Sequence, residues 1–275
     1  MTQASSSPAG RTGRNLPLAT AVGLGLFAIF GLSIWFKTVV FVILVTAVIL
    51  IAVAEVIRAL APDISSNAKE VLLASVPFLN YFAYTGGIDA LFVAVLITIA
   101  VILVVALRGG HQGYLVSVSK SIFILIYVPL FASFAVLLAG QPEGRNKVIA
   151  LVLLTIGSDI GGYFVGSFFG KHQLAPNISP KKSWEGLVGS IVLQAILGLA
   201  IWHYLFTESW WKGAIVGAIM AVTATIGDLI ESMIKRDAGI KDMSQLVPGH
   251  GGVMDRIDSL LFNAVVAWLL FSLFV

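Results

Sequence analysis

No cysteine occurs anywhere in this sequence, which excludes disulfide bridges, thiolate metal sites and a cysteine nucleophile. Charge is almost as scarce. Asp, Glu, Lys and Arg make up 11% of the 275 residues, against about 25% in an ordinary soluble domain, too few to clothe a water-facing shell. After the N-terminus no polar stretch is long enough for a second soluble domain, and no repeat of fixed period is visible. What abounds is apolar sequence. The chain is 58% hydrophobic, in runs of about 20 residues, the length that carries an α-helix across a hydrocarbon layer of about 30 Å. The composition therefore predicts an all-α, polytopic integral membrane protein with about nine transmembrane helices.

Residues 1–16, MTQASSSPAGRTGRNL, are too polar to bury a core and read as a disordered cytoplasmic tail. Residues 17–275 then form a single membrane-embedded domain. A signal peptide is disfavoured, because a second apolar run follows the first almost at once with no convincing cleavage site. The expected spans are 17–36, 38–59, 71–86, 88–107, 118–139, 148–168, 186–206, 213–234 and 257–275. The third is short and carries Pro77 and Asn80, so a re-entrant segment is its rival reading. The Lys and Arg residues weigh between the two. With nine spans, 13 of the 17 fall on the side of the tail and only Lys37, Arg145, Lys147 and Lys212 on the other; without the third span the bias nearly vanishes. Positive charge collects on the cytoplasmic side. A cytoplasmic N-terminus and an external C-terminus follow. Trp35, Trp202, Tyr204, Trp210, Trp211 and Trp268 fall near the predicted external ends of helices, where amphipathic rings sit at the interface.

Ionisable groups inside spans are costly and so are functional candidates. Glu55, Asp159, Asp228, Glu231 and Asp258 are the candidates here. Asp228, Glu231, Ser232 and Lys235 stand at i, i+3, i+4 and i+7, on one helical face. A polar stripe that only holds helices together has the same spacing, but this one runs into the densest charge in the chain: Lys235, Arg236, Asp237, Lys241, Asp242, a ProGlyHisGlyGly run at 248–252, then Asp255, Arg256 and Asp258. Glycines at 249, 251 and 252 allow close approach of backbone amides to an anion, and carboxylates beside a phosphate site suit Mg²⁺. Nonspecific binding of anionic headgroups explains the basic residues but not the glycines or the spaced aspartates. A second polar loop, 169–186, supplies Lys171, His172, Lys181 and Lys182. Both loops lie on the cytoplasmic side. The glycines at 157, 161, 162, 166 and 170 are expected to pack helices closely.

The stretch SMIKRDAGIKDMSQLVPGHGGVMDRID at 232–258 resembles the signature of the phosphatidate cytidylyltransferases, also called CDP-diacylglycerol synthases, and ISPKKSWEG at 178–186 resembles their second characteristic segment. Val247 departs from a position usually held by a larger aliphatic residue or Phe, and Ser183 from one where Thr is common. The resemblance is specific over about 155–260, the expected catalytic part, and one of pattern elsewhere. It implies a homodimeric membrane enzyme that joins CTP to phosphatidic acid, a membrane lipid, with Mg²⁺ and in addition a monovalent cation such as K⁺; no nucleic acid is expected as a partner. By matching position, Asp228, Asp255, Lys235 and Arg256 would be catalytic. Lys171, Ser179, Lys181, Lys182, Glu185, Ser232, Arg236, Lys241, His250, Gly251 and Gly252 would bind substrate. Asp228 and Asp255 would hold the metal, with Asp159 and Asp258 as further candidates.

Other functions fit part of the pattern. A secondary transporter would also have intramembrane carboxylates and glycine-interrupted helices, but its charges would form a relay across the midplane. A CTP-dependent lipid kinase would differ in transferring the γ-phosphate. A lipid-binding scaffold would have little need for Asp228 and Asp255 together.

Overall fold

The computed structural model describes residues 25, 28–246 and 251–275. Residues 28–36 are helical, and the elements that follow are α1 (Thr38–Leu60), α2 (Ser66–Ala106), α3 (Tyr114–Gly140), α4 (Gly144–Phe169), β1 (Gln173–Ala175), β2 (Ser179–Ser183), α5 (Trp184–Leu205), α6 (Trp210–Asp237) and α7 (Met254–Phe274). All seven labelled helices are long and apolar enough to cross a membrane. The all-α membrane fold is as expected, with one addition: β1 and β2 form a small antiparallel hairpin in the 169–185 loop. Half of the first expected span, and the tail before it, lie outside the described residues.

The expected count of nine differs from these seven chiefly at α2. A straight helix of 41 residues would be about 60 Å long, twice the hydrocarbon thickness, yet its two ends lie on the same side of the molecule. Asp63, just before α2, pairs with Lys120 of α3 at 2.7 Å, and Tyr114, at the start of α3, donates its hydroxyl hydrogen to the Leu103 carbonyl at 3.2 Å. The helix breaks at Gly87, whose φ of 69° lies in the left-handed region. A Cβ on Gly86 would collide with that of Ala90, so the chain folds back there, leaving two lengths of about 20 residues that correspond to the expected third and fourth spans. The Lys120 ammonium holds the Asp63 carboxyl below the usual carboxylate range.

The remaining contacts divide the bundle into two ends. At one end Arg145 donates to the Trp35 carbonyl at 3.2 Å, Asn146 to that of Leu205 at 2.9 Å and Lys212 to that of Phe274 at 3.1 Å. At the other end lie the loops after α1, α2, α4 and α6. Pro129 sits in a π-helical turn within α3, Ile126–Leu130, where its missing N–H and ring are accommodated by a wider turn.

Helices α4, α5 and α6 approach almost backbone to backbone. A Cβ on Gly161 would stand 3.1 Å from the Gly189 carbonyl oxygen, and Gly198 of α5 faces Gly213 of α6 with no room for a side chain on either. Packing is thus the work of these glycines, because helix association in lipid depends on van der Waals contact. The outward faces carry Ile43, Phe92, Phe164, Val188 and Ile196, all exposed, while Asn80, Glu231 and Asn263 are buried. Trp202 departs from the sequence reading: it is fully buried against Phe206 and Phe271. Its neighbours Tyr204, Trp210 and Trp211 are exposed.

Candidate functional site

At the end of the bundle where α4 and α6 finish and α5 and α7 begin lies a cavity of about 470 Å³, lined by groups from residues 158–259. The α6 face predicted from the i, i+3, i+7 spacing supplies Asp228, Glu231 and Lys235; α4 adds Asp159, α7 adds Asp255, Arg256 and Asp258, and the hairpin adds Lys181 and Lys182. Six carboxylates, including Asp242, meet four cations. With every group ionised the cavity carries a net charge of −2.

The charges are paired across elements. Lys182 Nζ lies 2.5 Å from Asp228 Oδ2 and also donates to the Thr225 carbonyl at 3.4 Å. Lys235 bridges Glu231, one turn before it, and Asp255 at 2.9 Å. The hydroxyl of Ser232 donates to Asp228 Oδ1 at 3.3 Å.

Three carboxylates, those of Asp228, Glu231 and Asp258, bring oxygens within 4.8 Å of one another. Glu231 is 1% exposed, and beyond its ion pair with Lys235 its oxygens accept no further hydrogen bond, a state that a hard cation would relieve. The geometry therefore fits a divalent metal at this trio. Glu231 was on the right face in the sequence but was not among the expected ligands; its position three residues after Asp228 was the signal that could have found it. Asp255 is differently placed. Its oxygens accept from Lys235, from the Met243 N–H at 3.0 and 3.2 Å and from the Gly252 N–H at 2.7 Å, so it ties together the segments on either side of the glycine run. Asp159 lines the cavity but is not part of the trio.

Of the glycine amides expected to face a ligand anion, that of Gly252 faces a protein carboxylate, and Gly249 lies outside the described residues. Gly252 N–H serves Asp255, while the Val253 and Met254 N–H groups donate to Glu55 of α1 at 3.1 and 2.9 Å. Gly251 has a φ of 84°, which a side chain would strain. His250 lies outside the described residues.

The other expected substrate-binding groups within the described residues are not among those that line the cavity. Glu185, at the start of α5, accepts from the Lys171 and His172 N–H groups at 3.1 and 3.2 Å and contacts His172 Nδ1 at 2.6 Å, closing the base of the hairpin. Arg236 donates to the Ile178 carbonyl of the hairpin at 3.4 Å. Lys171 and Lys241 are exposed and Ser179 is half-buried on β2. Ser183 caps α5 by accepting from the Gly186 N–H at 3.1 Å. Ser158, Tyr163, Ser190, Thr225 and Ser259 also line the cavity; as lone hydroxyls in apolar helices they offered no distinguishing signal. Tyr163 is 80% exposed, so the cavity wall that it forms lies on the outer surface of the bundle.

Residues 18–274 match the cytidylyltransferase family. The chain is 38% identical to the phosphatidate cytidylyltransferase of Mycobacterium leprae over 96% of its length and 89% of the relative's, and 36% identical to that of Mycobacterium bovis over 96% and 90%. It is 45% identical to the Pseudomonas aeruginosa phosphatidate cytidylyltransferase over 139 residues, about half of each chain. A cavity rich in carboxylates and cations, built from the two polar loops, thus accompanies a match that runs through almost every helix, and the chain belongs to the cytidylyltransferase family.

Proposed function

We infer that this chain joins CTP to phosphatidic acid, releasing pyrophosphate and forming CDP-diacylglycerol. One observation carries the reading: a cavity that concentrates four cations and a carboxylate trio at one end of a membrane bundle, with a wall at Tyr163 exposed on the outside of the bundle. Such a site suits a water-soluble polyanion and a phosphate whose acyl chains remain in the bilayer.

In the reaction an oxygen of the lipid phosphate forms a bond to the α-phosphorus of CTP. The bond from that phosphorus to the β-phosphate oxygen breaks, and its electron pair leaves with pyrophosphate. Lys181, Lys182 and Arg256 supply positive charge and N–H donors to the phosphates, orienting two reactants that repel each other. Asp228, Glu231 and Asp258 are proposed to hold Mg²⁺, which when bound would neutralise triphosphate charge and stabilise the leaving group. A net-negative cavity receiving two polyanions needs such a counter-charge. K⁺ as a second cation and a homodimeric assembly remain part of the proposal through the family resemblance.

Transfer is proposed to be direct. A phosphate monoester is already an anionic nucleophile, and the Ser232 hydroxyl is turned toward Asp228. Because 11 of the 15 Lys and Arg residues in the described segments lie at the cavity end, that end is assigned to the cytoplasm.

Purified protein given labelled CTP, Mg²⁺ and phosphatidic acid should yield a CDP-lipid and pyrophosphate. Formation of CDP and a phosphorylated lipid would identify a kinase instead, and absence of conversion would refute the reading. Labelled pyrophosphate should enter CTP only when CDP-diacylglycerol is present; lipid-free exchange abolished by Ser232→Ala would establish a covalent route.

A further inference from the structure

Glu55 belongs to α1, outside the part of the chain that lines the cavity, and is 3% exposed. Its carboxylate accepts three hydrogen bonds from the far end of the sequence: from Ser244 Oγ at 2.5 Å, the Val253 N–H at 3.1 Å and the Met254 N–H at 2.9 Å. The two amides lie at the start of α7, where N–H groups lack partners within the helix and the helix dipole favours an anion. Ser244 Oγ in turn accepts from the Leu246 N–H at 3.1 Å. A Cβ on Gly252 would stand 2.8 Å from Glu55 Oε2, so the glycine is what lets the carboxylate reach these donors.

From the opposite side Asp255 holds Met243 and Gly252 through their N–H groups and pairs with Lys235. The segments 243–246 and 251–254 are therefore clamped between two carboxylates. Asp255 reaches the clamp from within the cavity, Glu55 from a helix that the site does not otherwise use. An apolar residue would pack α1 against α7 without the cost of burying an ionisable group among membrane helices. The carboxylate's gain is directional: it fixes the rotation and height of the first turn of α7, which presents Asp255, Arg256 and Asp258.

We propose that Glu55 is a positioning residue for nucleotidyl transfer, holding the start of α7 and the adjoining loop so that Arg256 and Asp258 keep their places when the substrates enter. The proposal rests on the transfer reading above, and its test separates the two. Because the chain has no cysteine, a nitroxide can be attached at Gln245→Cys, exposed on the clamped loop, and in a second protein at Asn177→Cys, exposed in the hairpin. Glu55→Ala should raise spin-label mobility at 245 and leave it unchanged at 177. Turnover should fall at least tenfold, by more than any change in the KM for CTP. Glu55→Gln, which retains one acceptor oxygen, should be intermediate in both readouts. Ser244→Ala should loosen the loop less and add nothing in the Glu55→Ala background. If Glu55→Ala does not fold, the Gln and Ser244 variants carry the same comparison. An unchanged spectrum at 245, or a loosened loop with full turnover, would overturn the proposal. Lack of CDP-lipid synthesis by the spin-labelled protein with Glu55 intact, where the unlabelled chain is also inactive, would overturn the transfer reading while the spectra still decide the clamp.

Discussion

Lys182 on Asp228 and Lys235 between Glu231 and Asp255 are charges matched before any substrate arrives. A phosphate that takes Lys182 leaves Asp228 without its counter-ion, and the same carboxylate belongs to the trio suited to a divalent cation. In the proposed reaction phosphate and metal would enter as an exchange of partners, which avoids leaving a half-buried carboxylate unpaired. Asp228→Asn keeps the shape and removes the charge. It should lower turnover at saturating CTP by at least about 100-fold, equivalent to about 2.7 kcal/mol of transition-state stabilisation, with helix content preserved. Glu231→Gln should in addition raise the Mg²⁺ concentration needed for half-maximal turnover. Near-normal turnover of a folded Asp228→Asn protein at ordinary Mg²⁺ would refute the role given to the trio.

The element that looked weakest as a span explains itself through its polar residue. Asn80 of α2 donates to Thr46 of α1 at 2.9 Å and accepts from Ser133 of α3 at 2.9 Å, so it joins three helices at a point where lipid could offer no hydrogen bond. Interhelical polar contacts of this kind are worth about 0.6–1.7 kcal/mol. Asn80→Ala should lower unfolding stability in detergent by about that amount and leave turnover unchanged, since Asn80 is not among the cavity-lining residues. Unaltered unfolding would show that the network contributes nothing net. The helix boundaries were otherwise legible to within a few residues, because uninterrupted apolar length sets them. The hairpin was not, since its short strands lack the alternating pattern that marks a strand over a longer run.

At the scale of the molecule the positive charge is lopsided, and the tertiary contacts sort it. Arg58, Lys69, Arg108, Lys120 and the basic residues of both polar loops gather at the cavity end; Lys37, Arg145, Lys147 and Lys212 gather at the other. A membrane-impermeant thiol reagent should label Asn177→Cys only from the cytoplasmic side and Ser209→Cys only from outside, and equal labelling of both from one side would sink the topology. These loops were readable from sequence because hydrophobic length and the placement of Lys and Arg are properties of the chain read in order. The face of α6 was equally so, because Asp228, Glu231 and Lys235 lie on one helix with fixed periodicity. What each carboxylate of α7 holds at that face was not. Asp255 and Asp258 are three residues apart and equally placed in the sequence, and their division of labour depends on how the first turn of α7 is seated. That seating is set by Glu55, 199 residues before Met254, and only the folded bundle brings so distant a carboxylate to the amides that it holds.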